Sequence, residues 1–555
     1  MARFVRELIR DTKAAVAPTV ALSLFALIAA GGIAFDYARV ASLDSELQNA
    51  ADQAALAAAG QLDGQSNACL RAAAAANALV ANNTLMANEP GAGQSMQVNI
   101  DNTGVTNCSG IANKIKFYKS YDQVTDTAGP DADADQNARV VQVWVTPREA
   151  FFALTPIVAA FRSGAIGAQA IASLGSAVCK VPPLMICNPK ETTDPTFTTD
   201  DYVGKGLRLT QGGSGAWAPG NFGFLDHAGG SNGDTGLRED LGWNVPPGEC
   251  QPGDGVDTKP GVNAVNDAIN TRFDIYGPTA CVGTGSCPPS VNVAKDLVRD
   301  PAATGGNACR IHNQGWQEVS SAGQYLPSSP TTPLATTPTA MGHPRDMCHA
   351  VSAGGQAPCS GPNLRIGDGN WDRDAYFRVN YVRTGIGSGG QPIGSRWTAA
   401  EWQANTGLSP TVAVTAANYA SRWNVYNWEI ANRGTTVDGV NVLGRRVAQS
   451  PLAAEGSPVC SAGQGFGPGV APSSTQVDRR KLVIAVVDCV AESVNGNSTD
   501  VQVQKWIDTF LVEPTLSRAS GRTDQKEIYV EVIRETLTGG GAGPIIRRDV
   551  PYLPK

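Results

Sequence analysis

The sequence predicts an α+β protein: an N-terminal transmembrane helix continuing into an amphipathic stem, then a loop-rich, disulfide-containing mixed outer domain. Three observations carry this. An uncharged apolar run lies near Met1, and an apolar stripe at helical spacing follows it without a break. The rest of the chain combines short β-branched runs with 61 Gly, 35 Pro and 12 Cys.

Residues 14–35 (AAVAPTVALSLFALIAAGGIAF) hold no charge. At the α-helical rise this run covers the roughly 30 Å hydrocarbon layer of a bilayer. Arg3, Arg6, Arg10 and Lys13 precede it, whereas Arg39 is the one cation in the twenty residues that follow. The positive-inside rule therefore keeps the short end in the cytoplasm and the bulk outside. Pro18 suits the first helical turn, where its missing N–H has no partner to lose. Gly32-Ile33-Ala34 offers the competing reading of a cleaved signal peptide, but the run is long for that purpose and the helical pattern continues past it.

Beyond Phe35, apolar or small residues recur at Val40, Leu43, Leu47, Ala50, Ala54 and Ala58, one face of a helix. Asp36, Arg39, Asp44, Glu46 and Asp52 mostly fill the other side. This face is the expected helix-packing interface. Its small-xxx-small row admits a close neighbour, either a partner helix or the chain's own outer domain.

The chain divides into a cytoplasmic end (1–13), a transmembrane helix (14–35), a helical stem (36–60), a first outer segment (61–189), a loop-rich Gly/Pro region (190–475) and a strand-rich C-terminal segment (476–555). A helix is expected at 68–81, strands at 114–118 and 139–146, a short apolar helix at 151–161 and extended chain at 165–178. Within 190–475 the aromatic islands 375–381 and 423–428 interrupt loops. At the C-terminal end, 481–490 reads as a buried strand, 501–512 as a strand or short helix, and 527–535 as an alternating strand. A mixed sheet joining these to 139–146 is expected.

The net charge of -7 speaks against nucleic acid as a partner. The even cysteine count, with close pairs Cys179/Cys187, Cys281/Cys287 and Cys348/Cys359, suits disulfides in an oxidising compartment.

The residues DYAR at 36–39 and LQNAADQAALAAA at 47–59 resemble the TadE/TadG-like proteins of tight-adherence (Flp) pilus assembly. The strand ending Val145-Thr146-Pro147 and the stretch 179–189 are similar to longer TadG-related proteins. The resemblance implies a bacterial inner-membrane protein, single-pass, with its N-terminus cytoplasmic and a mixed periplasmic domain. It would assist pilus assembly by contacting other membrane proteins of the machinery or pilin, without catalysis and without a cofactor. Two departures qualify this. The Asp-x-Ser-x-Ser metal motif of many TadG proteins is absent from the sequence, and no Gly precedes Gly31 to serve a prepilin peptidase, so a permanent anchor is expected.

Other motifs are weak. Residues 229–233 match G-x-S-x-G, with Ser231 and His227 as the candidates for a membrane-tethered hydrolase, but they sit in a Gly/Asn loop rather than a strand-to-helix elbow. Residues 385–390 match G-x-G-x-x-G with no helix opening after them. Asp368, Asn370, Asp372 and Asp374 have the alternate spacing of a calcium loop, yet Arg373 stands where the EF-hand turn needs Gly. Asp131, Asp133 and Asp135 repeat that spacing. His343, Cys348 and His349 lack the paired spacing of zinc sites. A surface adhesin using exposed aromatics such as Trp423 and Trp428 is the remaining alternative.

Overall fold

The computed structural model describes residues 16–62, 66–79, 83–87, 96–119, 121–122, 127–152, 154, 162–179, 184–213, 215–226, 233–245, 250–252, 255–259, 266–352, 354–361, 364–383, 394–449, 451–473, 476–499, 501–518, 523–536 and 547–553. They fall into two compact units, Met1–Ser176 with Asp549–Lys555, and Ala177–Arg548.

The first unit is built on α1 (Val16–Ala59), one continuous helix of 44 residues. Pro18 lies in its first turn, and alanine, the best intrinsic helix former, fills seven of the ten positions 50–59. A second helix, α2 (Ala68–Leu79), packs along α1. Beneath both lies an antiparallel sheet of β1 (Ile115–Tyr118), β2 (Val140–Trp144) and β3 (Gln169–Cys179), in register Ile115↔Val143 and Val140↔Ser173. The disulfide Cys69–Cys108 ties α2 to the loop before β1.

The core of this unit is the stem stripe itself. Leu43, Leu47, Ala50, Ala54 and Ala58 are buried with Ala72 and Ala76 of α2 and with Phe117, Val141 and Val143 of the sheet, and Val40 packs at the edge. Alanine keeps the helices close enough to exclude water without large side chains.

Residues 151–161 were expected to be helical. Of these, Phe151 forms an antiparallel bridge with Arg162, as Arg148 does with Ile166; residues 153 and 155–161, the bulk of the expected helix, lie outside the described residues.

The second unit is a ring of strands. Its members are β4 (Leu184–Cys187), β5 (Gly206–Gln211), β6 (Asn221–Leu225), β7 (Lys481–Val487), β8 (Val501–Leu511) and β9 (Glu527–Glu535). Pairing runs β8-β7-β4-β6-β5-β9, and β9 pairs back onto β8. The β7/β4 and β6/β5 pairs are parallel and the others antiparallel. Alternate residues of all six strands, among them Ile186, Leu207, Phe222, Ile484, Ile507 and Val530, join one apolar cluster. The C-terminal strands therefore pair with segments from 184–225, not with β2. Among the described C-terminal strands it is β10 (Arg547–Tyr552) that pairs with β3, and Cys250–Pro252 pairs with β3 as well.

The region 190–475 thus supplies two strands of the ring as well as loops. It also holds α3 (Arg373–Asn380) and α5 (Arg422–Ala431), where the aromatic islands 375–381 and 423–428 were expected within loops, and between them α4 (Ala399–Thr406). Phe377, Tyr381, Trp397 and Trp402 stack together, with the Phe377 and Trp402 rings 4.8 Å apart. Disulfides join Cys187–Cys489, Cys281–Cys287, Cys309–Cys460 and Cys348–Cys359. Cys187 is therefore not bonded to Cys179; the Cα of Cys179 stands opposite Cys250 across an antiparallel pair.

Candidate functional site

The two halves of α1 have opposite environments. In the first half, Val16, Val20, Leu22, Leu24, Phe25, Leu27, Ile28, Ile33 and Phe35 are all about half exposed or more. Covering nine such side chains is worth on the order of 20 kcal/mol, more than the whole net stability of a typical domain. This half is apolar and long enough to cross a membrane.

Asp36 ends the exposed half and is itself buried, at 1% exposure. Its carboxylate accepts the backbone N–H of Leu154 at 2.9 Å. Polar tethers then follow along the stem. Arg39 Nε donates to the Met86 carbonyl at 3.1 Å, Glu46 accepts the N–H groups of Leu85 and Met86, and Gln48 Nε2 donates to the Gln169 carbonyl at 3.1 Å. The expected interface of Val40, Leu43, Leu47, Ala50, Ala54 and Ala58 is consequently occupied by the chain's own domain.

This arrangement, an exposed apolar half and a stem sunk in its own sheet, coincides with one stretch of sequence. Residues 14–61 match the family "Putative Flp pilus-assembly TadE/G-like". The match supports a TadE/TadG-like assignment and associates the chain with Flp pilus assembly. No curated protein and no solved structure matches. The TadE/G-like segment covers both the exposed half and the buried half of α1, and ends as α1 ends.

Outside the TadE/G-like segment, the predicted chemical motifs fare unevenly. Ser231 and His227, like the Gly-rich stretch 385–390, lie outside the described residues. The would-be calcium residues engage separate partners. Asp368 accepts the Asn370 N–H at 3.0 Å; Asp372 caps α3 through the Ala375 N–H and also accepts the Leu334 N–H; Asp374 accepts the indole N–H of Trp402 at 2.8 Å. Asn370 is exposed. Asp131 and Asp133 pair with Lys116 and Lys119, while Asp135 accepts the Cys69 N–H.

Cys348, His349 and Cys359 do converge, but their sulfurs are joined as a disulfide and offer no thiolate to a metal. His343 stands elsewhere, stacked on Tyr376. Trp423 and Trp428 pack against apolar clusters instead of standing free.

A buried polar centre in the second unit went unseen in the sequence. Arg422 at the start of α5 is fully enclosed between Asp346 and Glu531, with Glu531 at 2.8 Å. Burial would raise the Asp346 carboxyl, yet the charge of Arg422 and the N–H of Gly369 hold it below its ordinary value. His349 Nε2 donates to the Leu364 carbonyl at 3.0 Å, so its Nδ1 accepts from the Tyr529 hydroxyl at 2.9 Å. His343 Nε2 lies 3.5 Å from Glu429, which also accepts from the Tyr376 and Tyr381 hydroxyls. Burial brings both imidazoles down to about 4, so they are neutral at pH 7.

The cavity beside this centre, lined by Lys295, His343, Arg345, Glu513 and Arg518, measures about 40 Å³. That is room for a water molecule or two, far below a ligand pocket. The sole local sign of this centre was the Ser421 cap opening α5, because its ion pairs span 76 and 109 residues.

Proposed function

We propose that this protein is a single-pass inner-membrane protein, N-terminus cytoplasmic and bulk periplasmic, that serves Flp pilus assembly through protein contacts and without catalysis. The observation that carries the reading is α1. Its exposed half needs an apolar environment, its second half is the core of the adjoining domain, and both lie within the TadE/G-like match. Removal of a signal peptide at Ala34 would cut through a helix that runs unbroken to Ala59, which favours anchor and stem as one element.

Because the stem stripe is covered, contacts with the machinery fall to the exposed half of α1 and to the outer surfaces of the domain. The disulfides suit the oxidising periplasm. The test is complementation of a deletion strain, scored by surface pili in electron micrographs. The full chain should restore pili, whereas a version exported on a cleavable signal and beginning after Phe35 should not. Normal piliation without the gene would overturn the reading.

A further inference from the structure

We propose that the stretch 311–326 of the second unit forms a binding site for a short, neutral oligosaccharide. It lines an open cleft of about 690 Å³, which is within the range of small-molecule sites and far larger than the water-sized cavity beside Arg345. The stretch is fixed before any ligand arrives. The disulfide Cys309–Cys460 secures its start, and Gln317–Glu318 pair antiparallel with Leu297–Val298. Trp316 is fully buried; its indole N–H donates to the Asp274 carbonyl at 3.0 Å, and the Lys295 ammonium stands 3.5 Å from its ring centre. A cleft on such supports needs little ordering when a ligand binds, which favours affinity.

The lining decides the ligand. Asn313, Gln317 and Gln324 offer amides, Ser320 and Ser321 offer hydroxyls, and among the described residues no Lys or Arg takes part, so a phosphate or carboxylate meets no counter-charge. Glu318 is the one carboxylate there, and its charge already acts on Arg518. A cationic ligand is therefore no better served. His312 Nδ1 accepts the Gln314 N–H at 3.1 Å, which leaves Nε2 as a donor. Apolar contact comes from Ile311, 48% exposed, while the Trp316 ring is closed off, so an apolar molecule lacks walls. The ligand that fits is uncharged and rich in groups that both donate and accept, as sugar hydroxyls do.

A peptide strand is the nearest competitor, and the backbone speaks against it. Strand addition needs unused main-chain groups along an edge. Here the carbonyls of His312, Asn313, Trp316, Val319, Ser320 and Ser321 already accept hydrogen bonds within the stretch. Side chains are what is left to bind. Gln324 Nε2 donates to the Val319 carbonyl at 3.0 Å, whereas its Oε1 is covered and accepts from no donor among the described residues. A ligand hydroxyl that reached this oxygen after a small turn of the amide would satisfy an acceptor otherwise unpaired.

The test is isothermal titration of the full chain in nanodiscs with maltotriose, cellotriose and chitotriose. A variant carrying Asn313→Ala, Ser320→Ala and Ser321→Ala is titrated beside it. All three side chains are exposed, and Ser320 makes no capping bond, so the melting temperature should not move. Saturable binding of at least one sugar is expected, weakened about tenfold or more in the variant. If the triple variant melts lower, Asn313→Ala alone is read in its place and should weaken binding severalfold. Absence of binding by all three sugars, or binding that the variants leave unchanged, would overturn the site. Tighter binding of an uncharged peptide of Gly, Ser and Ala would overturn it too. Neither result depends on the reading of α1 as an anchor.

Discussion

Glu46 accepts the backbone N–H groups of Leu85 and Met86, at 3.1 and 3.3 Å, and so fastens the stem to its own domain. The stem is thereby a structural wall and not an open docking strip. Ala54 is fully buried in that wall. Ala54→Leu should overpack it and destabilise the protein by about 1–3 kcal/mol, read as a lower urea midpoint of the detergent-solubilised chain. A photo-crosslinker at Leu43 should capture the chain itself; efficient capture of another protein there would contradict the packing.

The enclosed Arg422 makes a sharper case. Arg422→Met leaves Asp346 and Glu531 buried without their cation, and should cost about 3–5 kcal/mol. Combining it with Asp346→Asn and Glu531→Gln should recover part of the loss. Denaturant titrations of the single and triple variants check this.

Acid should loosen the second unit as its two buried histidines take up protons. His343 and His349 are held at about 4, against 6.5 in the unfolded chain. His343 faces Glu429, Arg480 and Arg422, and His349 faces Asp346, Arg345 and Arg208. Between those values the unfolded chain binds more protons, so stability is full above about pH 6.5 and falls as pH drops toward 4, by on the order of 3 kcal/mol for each histidine. Urea midpoints at pH 7 and 4.5 give the comparison, and His349→Gln should flatten the dependence.

The bond Cys187–Cys489 joins the ends of the parallel strands β4 and β7 across 302 residues. Replacing both cysteines by Ala should cost about 2–5 kcal/mol. Non-reducing peptide mapping should recover Cys187 with Cys489; recovery of Cys187 with Cys179 would contradict the ring.

Several of these features were legible in the sequence because they are local. The β-branched runs became β7 and β9, the stripe from Val40 to Ala58 did lie on one helix face, and Cys281/Cys287 and Cys348/Cys359 do bond. What covers the stripe was not legible, since its partners Val141 and Val143 come some hundred residues later. Helices α3 and α5 hid behind aromatic residues of middling helix propensity, although Asp372 and Ser421 cap them. The pairing of β4–β6 with the C-terminal strands leaves no periodic trace, because order around a ring is set by long-range contacts.

The most direct measurement is protease digestion of spheroplasts carrying the full chain with an epitope tag at Lys555. The expected result is loss of the tag from intact spheroplasts, with a membrane-embedded fragment containing residues 16–35 surviving in the pellet. A tag protected until the inner membrane is lysed, or a chain recovered without that fragment in the soluble fraction, would contradict the anchored, outward-facing arrangement.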